Sequence, residues 1–232
     1  MKLFYLVIYL TLSAQGMAAS QFPQTATGIA LDSVWKVKAY QFATDHATHV
    51  AWGRGHSERN YQLAMKLAQS EKWTVDSDVL FAAAFFHDLG AIAPFQQAGV
   101  EHELRSVEVM EPLLKSYGFP NSKLPLVKEV ILEHMYYHST PPHSQESKVF
   151  HDADALDFLG EIGVVRIVAL SSKGHAWAPD LPGAISTLQG WAIELPQRLV
   201  TESAKRMAVS RASEMQSTLE LLSQETYFGK AL

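Results

Sequence analysis

The sequence contains no cysteine among its 232 residues. That absence excludes disulfides, thiolate metal ligands and a lipid-modified cysteine anchor, and it leaves the chain indifferent to an oxidising compartment. Basic charge is also scarce: 19 lysines and arginines stand against 24 aspartates and glutamates, a formal charge of −5. With no basic patch in the sequence, a nucleic-acid polymer is not expected as a partner. No apolar run reaches the roughly 20 residues that span a bilayer, so no stable membrane anchor is expected. Internal repeats, low-complexity tracts and linkers are missing, and strand signals are weak throughout.

What remains is an ordinary globular composition, with 47% hydrophobic and 19% charged residues over a length suited to one domain and one core. The first residues stand apart. Lys2 precedes an uninterrupted apolar stretch from Leu3 to Leu10, followed by small residues at Ser13, Ala14, Gly16, Ala18, Ala19 and Ser20. This is the pattern of a cleavable signal peptide over 1–20, giving a periplasmic or secreted chain that begins near Gln21. Loss of Lys2, the only charge in that leader, takes the formal charge from −5 to −6.

Glycine and proline punctuation divides the rest into helices, and the fold class expected is all-α. Helices are predicted over 28–45, 56–70, 77–88, 102–117, 123–138, 149–171, 184–194 and 197–223, within a domain of residues 21–232. A metal-binding core should occupy about 46–170 and C-terminal helices about 184–223. The segment VLFAAAFF, 79–86, is apolar on every side and follows the helix-start cluster Asp76-Ser77-Asp78, which predicts a central buried helix. Ala208, Ala212, Met215, Leu219 and Leu222 form a packing stripe, and Pro196 is expected to open the last helix.

His87 and Asp88 end the apolar segment, where titratable groups need partners or a metal ion. His56 shares a helix face with Asn60, Leu63 and Leu67, and Asp152 shares one with Leu156 and Leu159. His56, His87, Asp88 and Asp152 therefore form the predicted ligand set. Two neutral imidazoles and two carboxylates neutralise a divalent cation, and their nitrogen and oxygen donors suit Mn, Fe, Co or Zn better than Ca. Two further histidines lie on predicted inward faces: His102 aligns with Ser106, Val109 and Leu113, and His134 with Val127, Val130 and Ile131. Both could reach a metal cavity, with His138 a weaker candidate. Arg59, three residues after His56, is placed to hold an anionic group. Arg166 is read as a helix-to-helix lock, Asp154 as a neighbour of the ligand and Asp157 as an ordinary helix charge. His46, His49, His143, His151 and His175 carry no spacing signal.

With GHSERNYQLA around His56, FFHDLG around His87-Asp88 and HDADALDFLGEIGVVRI around Asp152, the chain resembles the HD superfamily of metal-dependent phosphohydrolases. Its ligand order there is one His, a His-Asp pair and a distant Asp. The resemblance runs from about His46 to Arg166 and is similar to small bacterial members with a DADxLD motif. It implies a helical bundle, one divalent metal with a second ion left open, and hydrolysis of a phosphomonoester, nucleotide or phosphodiester by a metal-activated water. A small phosphorylated substrate is the partner implied, and nucleoside triphosphates are those linked with the DADxLD relatives. His102, His134 and Arg59 would steady the developing charge. Two alternatives stay open: an HD-type di-iron oxygenase, and a non-catalytic metal-dependent binding module. The sequence does not set the oligomeric state.

Overall fold

The eight apolar residues from Val79 to Phe86 place the centre of the molecule. In the computed structural model, which describes residues 22–138, 140–227 and 230–231, each of the eight is 2% exposed or less. They form most of α3 (Ser77–Phe86), whose first turn is capped by the Asp76 carboxylate accepting from the Asp78 and Val79 amides. The signal peptide expected over 1–20 lies outside the described residues.

Around α3 pack α1 (Val34–His46), α2 (Arg54–Glu71), α4 (His102–Tyr117), α5 (Leu124–Leu132) and α6 (Gln145–Asp157). Trp35 of α1 sets its ring edge-on to Phe81, centroids 5.5 Å apart, and to Phe119, 4.8 Å apart. Helix α6 runs along α2 and also touches α3, α5 and the C-terminal helices, so it is buried on nearly every side. Three helices complete the chain: α7 (Gly160–Ser171), α8 (Leu181–Arg198) and α9 (Glu202–Glu225), packed on one another and, through α9, on α6 and α2. The predicted stripe on α9 is buried at Ala208, Ala212, Met215 and Leu219. No strand occurs among the described residues, only isolated bridges at Gln24 with Ala30 and His175 with Ala178. No described helix is long and apolar enough to cross a membrane.

Several boundaries differ from expectation. The helix predicted over 149–171 is two, because Leu159 is extended and Gly160 adopts φ +74°, a conformation that glycine takes without strain. The break turns the chain after Asp157 and lets α7 pack back on α8 and α9. Pro196 does not open the last helix but lies within the final turn of α8; α9 starts at Thr201, whose hydroxyl accepts from the Ala204 amide. Helix α5 stops at Leu132, so His134 sits beyond it in non-helical chain, and the first helix begins at Val34 rather than near 28. On α4 the inward stripe is Glu103, Ser106, Met110 and Leu114, one residue away from the line drawn through His102.

Candidate metal centre

Three helix ends bring the site together. His56 lies in the first turn of α2, His87 caps the C-terminus of α3 with Asp88 next to it, and α6 supplies a carboxylate from its buried interior. His56 Nε2 is 3.2 Å from His87 Nε2, 3.1 Å from Asp154 Oδ1 and 3.4 Å from Asp88 Oδ2. His87 Nε2 is 3.2 Å from Asp88 Oδ2 and 3.8 Å from Asp154 Oδ1. His56, His87 and Asp154 form one group of possible ligands, and His87, Asp88 and His134 another, each with its donor atoms within 4.8 Å of one another.

The hydrogen bonds at the far side of each ring fix which nitrogen faces inward. A carbonyl oxygen can only accept, so His87 Nδ1 donates to the Ala84 carbonyl at 3.1 Å and His134 Nδ1 to the Ile131 carbonyl at 2.6 Å. His56 Nδ1 donates to Asp157 Oδ2 at 2.7 Å, and His102 Nδ1 lies 3.2 Å from Glu103 Oε2. In the neutral rings the Nε2 atoms of His56, His87 and His134 therefore carry lone pairs, and the Nε2 atoms face one another in two pairs: His56 with His87, and His102 with His134 across 3.3 Å. Facing lone pairs at that distance need a proton or a cation between them. The donor set of imidazole nitrogens and carboxylate oxygens fits a divalent transition metal, with ring orientation fixed from behind as metal-ligating histidines require.

The electrostatics agree. Burial opposes charge on His87, but the Asp88 and Asp154 carboxylates outweigh it and lift the imidazole to about 10. His134, buried and facing a charged His87, is pushed down to about 3 and stays neutral. Burial also opposes charge on Asp88 and Asp154, yet His87 and His56 hold the first, and His56 and His87 the second, well below the usual carboxylate range. Without a metal, a proton on the histidines balances the buried carboxylates; a divalent ion can take its place.

The structure places two expected site residues elsewhere. Asp152, fully buried, is not in the cluster: its Oδ1 accepts from the Val200 amide at 2.9 Å, and its Oδ2 from the Thr201 amide and hydroxyl at 2.7 and 2.6 Å. It ties the start of α9 to α6, and Asp154, two residues on and on the opposite face of the helix, takes the position predicted for it. Asn60 confirms the register by donating from Nδ2 to Asp154 Oδ1 at 2.9 Å. Arg59 does not reach the cluster either. Its Nε and one terminal nitrogen fork onto the Asp157 carboxylate at 2.7 and 2.9 Å, so it holds the residue that holds His56. Asp157 is thus no ordinary helix charge: almost fully buried, it receives His56, Arg59 and, at 2.9 Å, Arg166. Arg166 is the expected lock, donating also to the Ala51 and Asp157 carbonyls.

Asp88 faces both pairs of histidines. Its Oδ2 approaches His56 and His87, while its Oδ1 lies 3.6 Å from His102 Nε2 and 3.9 Å from His134 Nε2. His138 stands further back, 3.3 Å from Glu103 Oε1, where it shares with His102 the buried Glu103 carboxylate.

Residues 53–159 match the family model described as the HD domain. That match spans 107 of the 232 residues. Solved structures resemble the chain at the level of fold. YpgQ of Bacillus subtilis, crystallised with ADP, is 23% identical, covers 81% of this chain and 97% of its own, and superposes with a TM-score of 0.61. An HD-superfamily hydrolase from Bacillus thuringiensis is 22% identical, with coverages of 82% and 95% and a TM-score of 0.57. A predicted HD-superfamily hydrolase from an uncultured Thermotogales bacterium is 23% identical, with coverages of 82% and 90% and a TM-score of 0.56. No curated protein matches the chain.

The histidine and aspartate cluster opens on a cavity of about 140 Å³ that Asp88, His102 and Asp154 share with Trp52, Tyr137, Phe158, His175 and Trp177. A larger hollow of about 450 Å³ lies on the far side of Asp157, among Glu58, Arg59, Lys66 and Arg211, and contains none of the histidines. The smaller one borders Asp88, His102 and Asp154 of the cluster. Of its walls, His175 and the tryptophans are not legible from helical periodicity, because Trp52 and the 175–177 segment lie between helices. Asp154 and Asp157 had a signal, their place in DADALD, but no feature of the sequence ranks them over Asp152.

Proposed function

We propose that the chain is a metal-dependent phosphohydrolase whose ligands are His56, His87, Asp88 and Asp154, acting on a phosphate ester held in the 140 Å³ cavity. The carrying observation is the set of four histidines turned toward one another through Nε2, three of them hydrogen-bonded at Nδ1, beside the carboxylates of Asp88 and Asp154. When bound, a divalent cation supplies Lewis acidity that favours ionisation of water and offsets charge on a phosphoryl oxygen. The chain's own share is pre-organisation: Ala84 and Asp157 orient two imidazoles, and Asn60 holds Asp154, so little has to move on binding. Hydrolysis would break the ester phosphorus–oxygen bond, place the water oxygen on phosphorus and leave a proton on the departing oxygen.

Neutralisation alone favours one ion, but the split of Asp88 between the two histidine pairs supports a second, held by Asp88, His102 and His134. In that reading His102 and His134 are ligands rather than direct donors to phosphate. Export through the leader at 1–20 belongs to the same proposal and predicts a mature chain starting near Gln21, visible as a mass difference.

Metal analysis of the purified protein, followed by phosphate-release assays with the metal found, tests the function. We expect one or two transition-metal ions per chain and turnover of at least one phosphate ester. Stoichiometric metal with no release from any phosphate ester would refute hydrolysis, and iron with oxygen consumption would favour the oxygenase reading.

A further inference from the structure

The cavity walls bear on what else the substrate carries. Besides His102, five of its lining side chains are aromatic, Trp52, Tyr137, Phe158, His175 and Trp177, and no lysine or arginine lines it among the described residues. Trp177 meets Trp52, His175 and Phe158 with centroids 5.9, 5.2 and 6.0 Å apart and planes near perpendicular, at 74°, 75° and 83°. The group is fixed from outside: Trp52 stacks on His49 at 4.0 Å, and the Trp177 carbonyl accepts from the Thr187 hydroxyl. Arg166 lies across the Phe158 ring at 4.1 Å, but its bonds run to Asp157 and Ala51.

Such walls suit one kind of ligand. A polyphosphate chain carries several negative charges and is held by forked arginines or lysines, which this cavity does not offer. At about 140 Å³ the space is also below the 300–1,000 Å³ of pockets that enclose drug-sized ligands. An aromatic or apolar group gains from these rings by burial and by edge or face contacts. One polar feature stands out: Trp52 is 92% buried by its 8% exposure, and its Nε1 has no hydrogen-bond partner. A buried donor left unpaired is costly, and a ligand oxygen would satisfy it.

Building on the phosphohydrolase reading, we infer that this cavity selects a singly phosphorylated compound whose remaining part is a compact aromatic or apolar group. An aryl phosphomonoester is the chemical type; nucleoside polyphosphates are disfavoured, and the Trp52 N–H donates to an oxygen of the ligand.

Calorimetric binding of inert phosphonates to the metal-loaded full chain tests this apart from turnover. Phenylphosphonate should bind at least about ten-fold more tightly than methylphosphonate, from burial of the ring, and more tightly than inorganic tripolyphosphate. Trp177→Ala should remove most of that ten-fold and leave methylphosphonate and metal content unchanged. Tyr137→Ala, at a side chain 46% exposed and so safe for folding, should lower the preference in the same direction. Trp52→Phe, which keeps a ring but not the N–H, should weaken both phosphonates alike. Tripolyphosphate bound as tightly as phenylphosphonate, or a phenyl preference untouched in both the Trp177 and Tyr137 variants, overturns the inference. A phenyl preference in a protein that cleaves no phosphate ester supports the selectivity while refuting hydrolysis.

Discussion

Asp152 and Asp154 sit two residues apart in one buried helix, and exchanging each for asparagine should produce opposite consequences. In Asp152→Asn one oxygen becomes an amide donor facing groups that themselves donate, so either the Val200 amide or the Thr201 pair loses its acceptor. A hydrogen bond to a charged group contributes about 1.5–3 kcal/mol, and an orphaned buried donor costs about 1–3 kcal/mol. A net loss of about 2–4 kcal/mol follows, and at about 2–4 °C per kcal/mol for a chain of this size the melting temperature should fall by roughly 5–15 °C. Metal content should stay at the wild-type value. Asp154→Asn should instead lose metal, and its melting temperature should drop chiefly because the stabilisation by a ligand bound only to the folded state is gone, about 4 kcal/mol at a thousand-fold excess over Kd. A chelator separates the two in thermal unfolding followed by circular dichroism: the deficit of Asp154→Asn should shrink, whereas that of Asp152→Asn should persist. The assignment fails if Asp154→Asn retains stoichiometric metal, or if Asp152→Asn loses metal while its melting temperature in chelator equals that of the wild type.

Three further outcomes are expected. Asp157→Asn should lower metal affinity by about 10–100-fold in competition with a chromogenic chelator, since it loosens the His56 ring from behind. Gly90→Ala would drive its Cβ into the His102 carbonyl oxygen, so α4 must shift, costing about 1–3 kcal/mol in urea unfolding. In the metal-free protein His87 is lifted from an ordinary 6.5 to about 10, so its contribution to stability is complete below 6.5 and fades as pH rises through about 10. Urea midpoints should show that alkaline loss without metal and a smaller one with it, and metal uptake near pH 7 should release protons to the buffer.

The helical architecture and the His56, His87 and Asp88 neighbourhood were legible because the flanking segments have distinct inner and outer faces. On α2, for example, His56, Asn60 and Leu67 are buried together as the spacing predicts. Periodicity loses that power on α6, where every residue from Val149 to Asp157 is buried. A helix with no solvent face gives no rule for choosing Asp152 over Asp154, and the spacing to Leu156 and Leu159 marked only one of several inward directions. The Arg59 contact is hidden for a related reason: proximity to His56 along α2 does not reveal that its guanidinium forks onto Asp157. The aromatic walls escaped because segments between helices obey no repeat, so nothing in the sequence relates Trp52 to Trp177. Gly160 was a visible stop signal, yet the apolar pattern ran through it and concealed the turn between α6 and α7.

The aspartates of α6 also bear on how modular this domain is. Asp152 accepts from Val200 and Thr201 as well as from the neighbouring His151, Asp157 leans on Arg166, and the carbonyl of Leu156 accepts from Arg211. Apart from His151, all of those partners fall after residue 159, where the family match ends. A fragment cut to the matched residues would retain every proposed ligand and yet lose the three donors of Val200 and Thr201 that hold Asp152 in α6. The stretch that carries the family's signature and the stretch that can stand alone are therefore of different lengths, and transplanting the centre into another protein would require the C-terminal helices to travel with it.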